Sequence, residues 1–242
     1  MDNVINLAIP YVGEHIFESM SSDDLVQCFA VSRAWKMLAE NILYKRWKGK
    51  FFEACVSGKG EIVGILLKHL KSEEIETQLK KKDDCGRTAF MWVCCRGHKN
   101  IVELSLHHPS MNEQIDFSAR DPVGETAFMM ACRSGHKNIV EIFLNHSIIS
   151  EQIDFNARAL FGMTAFIFAC VMGNKDVVAL LLEHPSSSKQ IDFDAEDSFG
   201  QTGFMKTKQD DIRTLLQNDP KVNTDKEDPN FTKPIVHFDD HL

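Results

Sequence analysis

Residues 124–144 read GETAFMMACRSGHKNIVEIFL, and versions of this stretch recur along the chain. The opening pattern is Gly, any residue, Thr, a small residue and Phe, and it begins every 38 residues, at Gly86, Gly124, Gly162 and Gly200. The second glycine of the stretch recurs with the same period, at Gly97, Gly135 and Gly173. A constant period of some tens of residues indicates a repeat architecture, in which similar structural units follow one another.

The sequence pattern within each unit predicts two short helices. A threonine suited to a helix N-cap precedes an apolar stretch of about eight residues, which ends at a glycine suited to the left-handed backbone conformation. In the unit that starts at Gly124 these two residues are Thr126 and Gly135. The second stretch then places apolar residues on one helical face, at Ile139, Val140, Phe143 and Leu144. Neither helix could bury its apolar face alone, so the units must stack as a solenoid.

This pattern resembles the ankyrin repeat, whose sequence runs Asp, x, x, Gly, x, Thr, Pro, Leu, His, x, Ala, Ala, x, x, Gly, His. The resemblance covers roughly residues 51–216 and implies an all-α solenoid of helix-turn-helix units with hairpin-like tips. The family's proline and histidine are replaced here, the proline by Ala89, Ala127 and Ala165 and the histidine by Met91, Met129 and Ile167. The expected units are about 51–82, 83–120, 121–158 and 159–196, with a truncated polar cap at 197–217.

Two segments depart from the family pattern. The period exceeds the roughly 33 residues of the ankyrin repeat, and the extra residues follow the second helix, as at 108–113. We expect these insertions to be surface loops. Residues 218–242 contain three prolines, many charged residues and no periodicity, which predicts a flexible tail.

The first 50 residues lie outside the repeat and predict a separate domain of three short helices. Ser21 and Asp24 have the spacing of a capping box for the second helix, and a third helix is expected to begin near Ser32. A segment of this length buries few large side chains by itself. We therefore expect some of its apolar side chains to face a partner.

The order of the residues in this segment resembles an F-box over about residues 5–48. The resemblance is carried by Ile9-Pro10, Ile16-Phe17, Met20, Asp24-Leu25, Val31, Arg33, Trp35, Leu38 and Leu43-Tyr44. It implies docking onto the Skp-type adaptor of a cullin-RING ubiquitin ligase, with the rest of the chain selecting a protein substrate. The residues expected to contact the adaptor are Pro10, Ile16, Phe17, Met20, Leu25 and Trp35. In the alternative interpretation, the three helices only cap the first repeat of a plain ankyrin scaffold.

The composition favours protein partners. A net charge of −8 and a pI near 5.7 argue against binding to nucleic acid or to an anionic membrane, because both need a surplus of Lys and Arg. No apolar stretch is long enough to span a membrane, and residues 1–14 lack the basic and apolar regions of a signal peptide. Seven cysteines without such a signal fit reduced thiols in the cytoplasm or nucleus.

The sequence contains no motif typical of catalysis or nucleotide binding. Four cysteines share one repeat position (Cys55, Cys94, Cys132 and Cys170), and four histidines share another (His69, His108, His146 and His184). Stacked helices lie about 8 to 10 Å apart, so neither column is expected to form disulfides or a metal site. His98 and His136 fit turn positions. We therefore expect no cofactor, no metal and no enzymatic activity.

Comparison of equivalent positions indicates a recognition surface. The turn tips and the end of the first helix are mostly polar in the units at Gly86 and Gly124, but apolar in the unit at Gly162. The predicted substrate-binding residues are Leu160, Phe161, Met163, Val171, Met172 and Phe199. Exposed apolar patches on soluble proteins mark binding sites. The alternative is that the long loops cover these side chains or that a shifted register buries them. Trp92, Met130 and Phe168 share a position expected to be core.

Overall fold

The structure, a computed structural model, describes residues 16–30, 33–185 and 190–225. These residues form an all-α fold, as predicted, and within them the only extended pairing is an isolated bridge between Lys82 and Thr88. Residues 16–19 are helical, and two 3₁₀ turns cover Cys28–Ala30 and Leu160–Gly162. The α-helices are α1 (Ser22–Gln27), α2 (Arg33–Trp47), α3 (Phe51–Val56), α4 (Gly60–His69), α5 (Ser72–Lys80), α6 (Ala89–Arg96), α7 (Lys99–His107), α8 (Pro109–Asn112), α9 (Ala127–Arg133), α10 (Lys137–Asn145), α11 (Ser147–Gln152), α12 (Ala165–Met172), α13 (Lys175–Glu183), α14 (Gly203–Lys206) and α15 (Asp210–Gln217).

Contacts divide the described chain into two compact units. Residues 16–93 and 98–115 belong to the first unit, and residues 94–97 and 116–225 belong to the second. The beginning of the predicted N-terminal helix, including Ile9 and Pro10, lies outside the described residues, as do Val31, Ser32 and residues 226–242.

In the first unit, the N-terminal helices are held against the first repeat. Helix α2 packs on α4, and α4 packs on α7. Lys59 Nζ lies 2.7 Å from Asp23 Oδ1, and the ring of Tyr44 stacks on that of His69 with 4.3 Å between centroids. Ser21 caps α1 by accepting a hydrogen bond from the Asp24 N–H, as its sequence position predicted. Helix α2 thus occupies the side of α4 that a preceding repeat would otherwise cover.

In the second unit, the helices stack as two parallel series, which is the solenoid arrangement. The first helices α9, α12 and α14 pack one on the next, and the second helices α10, α13 and α15 do the same. The predicted N-caps are confirmed, since the hydroxyls of Thr126 and Thr164 each accept from an N–H of the first helical turn at 3.3 Å. Gly135 and Gly173 have φ values of 77° and 75°, the left-handed conformation expected at the ends of α9 and α12.

The turn histidines connect neighbouring repeats. The Nε2 atom of His136 lies 2.9 Å from the Cys95 carbonyl oxygen of the preceding repeat. Asn174 replaces histidine one repeat later, and its Nδ2 donates to the Cys132 and Arg133 carbonyls, both at 2.8 Å. These side chains satisfy carbonyls that the end of a helix leaves open.

The expectation that the inserted segments are surface loops is wrong. They contain the short helices α8 and α11, in which Met111 and Ile149 are fully buried. Downstream, Phe155 packs edge-on against Phe128 of α9 with 4.9 Å between ring centroids. These two insertions therefore contribute apolar side chains to the core, so the longer period adds a third layer to the repeats that contain α8 and α11.

The packed region also extends past the expected cap boundary at residue 217. Val222 is buried, and the N–H of Asn223 donates to Asp194 Oδ1 at 2.7 Å. Lys221 Nζ donates to the Leu182 carbonyl at the end of α13. Residues 218–223 of the predicted tail are thus anchored on the last repeats.

Candidate functional site

Six side chains in the second unit form a candidate binding surface, here called the apolar patch. Five of them are 38 to 58% exposed, and Met163 is half-buried. The patch combines the tip that precedes α12, the end of α12 and the next tip, and consists of Leu160, Phe161, Met163, Val171, Met172 and Phe199. Among the described residues, nothing covers these five side chains, so the patch is open to solvent rather than buried by the inserted segments.

The other described tips are closed by an aspartate. Asp121 Oδ1 accepts from the N–H groups of Val123 at 3.1 Å and Glu125 at 2.9 Å, and Asp83 and Asp197 make the equivalent pairs of bonds. In the tip of the apolar patch this position is Ala159, which has no side-chain acceptor. That tip keeps the equivalent backbone bonds, from the Ala159 N–H to the Met163 carbonyl at 2.9 Å and from the Gly162 N–H to the Ala159 carbonyl at 3.0 Å, but lacks the aspartate bonds.

The tip at Ala159 forms a 3₁₀ turn in which Phe161 has φ 61° and ψ 20°. Phe161 is the only non-glycine residue with positive φ in the described part of the chain. The left-handed conformation costs roughly 1 to 2 kcal/mol for a residue with a Cβ. Such strain persists only where the surroundings hold it, and it is found preferentially at functional sites.

Neighbouring tips hold Phe161 in this conformation. The Leu160 N–H donates to the Val123 carbonyl at 2.7 Å, and the Ser198 N–H donates to the Phe161 carbonyl at 2.8 Å. Gly162 is required next to it, because a Cβ at this residue would lie 2.9 Å from the Ser198 nitrogen. The turn is therefore bonded on both sides and presents two large apolar side chains to solvent.

Two arginines form hydrogen bonds between these same three tips. Arg120 Nη1 donates to the Arg158 carbonyl at 2.8 Å, and Arg158 Nη1 donates in turn to the Glu196 carbonyl. The residue spacing between each donor and acceptor is one full repeat. These bonds fix the spacing of the tips that carry the patch.

The tip that carries Phe199 is supported by an ion pair between the buried Asp197 and the partly exposed Lys206. Lys206 Nζ lies 2.5 Å from Asp197 Oδ2 and 5.9 Å from the centre of the Phe199 ring. Burial by itself would raise the pKa of Asp197, but the bonds from Lys206 and from two backbone N–H groups, with the Lys206 charge, outweigh it and lower the pKa. The carboxylate is therefore charged near neutral pH and holds both the tip and the cation beneath Phe199.

The predicted adaptor-contact residues lie in different environments. Ile16 is 56% exposed, whereas Phe17 and Leu25 are buried, and Phe17 packs edge-on against Trp35 with 5.2 Å between centroids. Met20 and Trp35 are half-buried, and Pro10 lies outside the described residues. Phe17 and Leu25 thus serve the interior of the helical segment, and Ile16 is the most exposed described member of the predicted set.

The sequence interpretation missed Met37, which is 61% exposed on α2. The buried stripe of this helix follows Ala39, Leu43 and Trp47 at intervals of four residues. Met37 lies two residues from Ala39, about 200° away around the helix. This spacing could have identified Met37 as a solvent-facing residue.

The column of Trp92, Met130 and Phe168 is only partly core. Met130 is fully buried, but Trp92 and Phe168 are half-buried. The Trp92 Nε1–H donates to Asp83 Oδ2 at 2.6 Å, a bond that requires the indole edge to lie at the tip. The expectation of a uniformly buried column is wrong because a large ring at this position reaches the tip of its own repeat.

Metal binding and thiol reactivity depend on how the His, Cys, Asp and Glu side chains of the described residues are placed. They contain no group of three His, Cys, Asp or Glu side chains placed to hold a metal ion. Burial raises the pKa of Cys55 to about 12 and raises those of Cys94, Cys132 and Cys170 as well, which disfavours the reactive thiolate. No helix in the described ranges has the length and apolar character needed to cross a membrane.

A family model for ankyrin repeats, which represents three copies of the repeat, matches residues 51–152 and 100–197. This chain belongs to the ankyrin-repeat family. No curated protein matches it. Ankyrin repeats mediate protein–protein interactions, so the apolar patch of this ankyrin-repeat chain is a candidate surface for a protein partner. The matched region begins at Phe51, and the helical segment before it is outside the match.

Proposed function

We propose that the chain is a non-catalytic substrate receptor of a cullin-RING ubiquitin ligase. In this proposal the helical segment 1–50 docks on the Skp-type adaptor, the ankyrin domain 51–217 binds a protein substrate, and the apolar patch is the substrate contact. The observation that supports substrate binding is an exposed apolar surface built on a strained turn. The F-box resemblance of the N-terminal segment supports the ligase assignment.

The chemistry of the patch suits a protein partner. Its exposed members include two phenylalanines and Met172, and aromatic and methionine side chains are enriched at the centres of protein interfaces. Burial of one such side chain contributes about 1.5 to 3 kcal/mol. Maintaining Phe161 in a left-handed conformation opposes folding, which favours a binding role for its outward position over a structural one.

The adaptor-contact residues proposed here differ from the set predicted from the sequence. Ile16 and Met37 are the large apolar side chains exposed on the described helical segment, so they are the proposed contact residues. Phe17 and Leu25 would act indirectly by supporting the helices that carry them. A test of docking should therefore substitute Ile16 and leave Phe17 unchanged.

Titration of the full chain with a purified Skp-type adaptor tests this half of the proposal. We expect the wild-type chain to bind with micromolar affinity or better and Ile16→Glu to weaken binding at least tenfold. Lys45→Ser removes an exposed polar side chain from α2 and is the matched control, with no expected effect. Absence of wild-type binding to any such adaptor would rule out the ligase assignment.

A plain ankyrin scaffold is the second candidate, and the packing of α2 favours it. Lys68 Nζ lies 2.9 Å from Glu40 Oε1, which adds to the contacts that place α2 against α4 as a cap would lie. Co-precipitation from cells, scored for adaptor and cullin and then for all other proteins, separates the two candidates. A scaffold would capture its partner without either ligase subunit.

A further inference from the structure

The chain leaves its last repeat at a fixed point in the same unit as the apolar patch. Val222 is buried, Asn223 bonds to Asp194, and Lys221 bonds to the end of α13. Only five residues separate Asp194 from Phe199, so their Cα atoms lie no more than about 18 Å apart. The chain from residue 226 therefore starts no more than about 33 Å from Phe199.

The remaining chain is long enough to reach the part of the patch that contains Phe199. The stretch from Lys226 to Phe238 spans up to roughly 40 Å when extended. The bond between Asn223 and Asp194 limits the distance from residue 226 to Phe199. If the connecting segments are taken as fully extended, this distance is at most about 33 Å, which lies within the reach of the tail. Delivery of Phe238 to Phe199 thus requires no change in the described structure.

The chemistry of this segment is complementary to the patch. Residues 226–242 read KEDPNFTKPIVHFDDHL, in which the apolar residues Phe231, Ile235, Val236 and Phe238 lie between two acidic pairs. At the end of α12, Lys208 is exposed beside Gln209, whose side chain lies against Gly173, the residue after Met172. Arg133 of α9 occupies the repeat position of Val171, and its charge is already paired with Glu125 at 3.2 Å. An apolar segment with acidic ends therefore fits an apolar surface that has the exposed Lys208 at one edge.

We infer that residues 231–238 occupy the apolar patch of their own chain and must be displaced by an external protein partner. This inference rests on the proposed function in taking the patch as the substrate contact. A tethered segment acts at an effective concentration in the millimolar range. A segment that binds in trans with a Kd of about 0.1 mM would then cover the patch in roughly nine molecules of ten. The tail would act as a built-in competitor.

Methyl NMR on the full-length chain tests whether the tail covers the patch, because Met172 is a patch member with its own methyl resonance. In a chain with Phe231→Ser, Ile235→Ser and Phe238→Ser, we expect the Met172 resonance to shift and that of buried Met129 to stay unchanged. A chain with Asn230→Ser and Thr232→Ser is the matched control and should match the wild type at both positions. An unchanged Met172 resonance in the triple variant would overturn the inference.

A synthetic peptide of residues 226–242 distinguishes the source of the occupant. We expect it to bind the triple variant at least tenfold more tightly than it binds the wild type, whose patch is already covered, and to restore the Met172 resonance. Phe161→Ser in the triple variant should abolish peptide binding. Equal peptide affinity for wild type and triple variant would overturn the inference. A Met172 resonance that shifts with protein concentration in the wild type would also overturn it, because the segment would then bind to a second copy of the chain.

Failure of this inference and failure of the proposed function give different results. If the patch serves only an external partner, Phe161 and Met172 substitutions abolish substrate capture while tail substitutions leave the Met172 resonance unchanged. If the ligase assignment fails, adaptor binding is absent, whereas the Met172 response to the tail remains. The adaptor titration measures binding affinity and the NMR experiment measures the Met172 resonance, so the two tests are independent.

Discussion

Phe161 and Phe199 lie on consecutive repeat tips with their ring centroids 6.1 Å apart and their planes inclined by 32°, and more than half of each side chain is exposed. Offset aromatic pairs at this distance attract one another, so each ring limits the movement of the other. The pair forms a preorganised centre for the apolar patch and supplies its first test.

Substitution of Phe161 and Met172 together by Ser should weaken substrate capture by at least tenfold, because each buried large apolar side chain contributes about 1.5 to 3 kcal/mol to binding. The melting temperature should change little, since the described residues leave both side chains largely uncovered. Pull-down with quantitative mass spectrometry and thermal denaturation provide the two measurements. Val123→Ser on the preceding tip is the control. A large drop in melting temperature would show that these residues belong to the core.

Substitution of Phe161 by Asn should stabilise the fold by up to about 1 kcal/mol, because Asn adopts the left-handed conformation more readily than a bulky residue. Phe199→Asn removes a similarly exposed ring from a residue without positive φ, and it should not stabilise. Urea denaturation of both variants measures the difference. Equal effects of the two substitutions would show that the turn at Phe161 stores no strain.

Asp197→Asn should destabilise the fold by about 2 kcal/mol at pH 7, because it leaves the cation of Lys206 without its charged partner. The pKa of Asp197 in the folded chain is below its ordinary value of 3.8, so its contribution to stability is present above pH 3.8 and is lost as the pH falls through the lower folded value. The difference between wild type and variant, measured by urea denaturation, should therefore shrink below pH 3.8. A difference that stayed constant into that acidic range would argue against the charged pair.

Ile149→Ala should cost about 2 to 5 kcal/mol, because the side chain is fully buried in α11. Ser150→Ala, at the next position of the same short helix, should cost less than about 0.5 kcal/mol. Chemical denaturation of the two variants compares them directly. If both changes were neutral, the inserted segment would be a surface loop and not part of the core.

All seven cysteines should react as thiols under denaturing, non-reducing conditions. In the native protein Cys85 should react first, since it is exposed on a tip, and Cys94 and Cys132 should react last because burial raises their pKa values. Timed thiol labelling with mass spectrometry measures this order. Stoichiometric zinc in the purified protein, or fewer than seven thiols, would contradict the expectation.

The repeat fold could be predicted from the sequence because its signals act over a few residues. The hydroxyl of Thr126 caps the N–H of Met129, three residues away, and Gly135 ends the same helix by its own backbone freedom. Such local preferences recur with the period of the chain. Leu160 and Phe161 occupy the same repeat positions as Asp84 and Cys85, so the sequence alone was enough to predict that they lie on a tip.

The tertiary structure decided which apolar side chains are covered. Met111 and Ile149 lie in insertions that look like loops, and Phe17 and Ile16 are adjacent in sequence, yet one of these two is buried and the other exposed. Likewise, the left-handed turn at Phe161 depends on bonds to Val123 and Ser198, each almost one repeat away. Burial and strain depend on which distant segments come into contact, and these contacts form only when the units stack, so no local pattern in the sequence contains them.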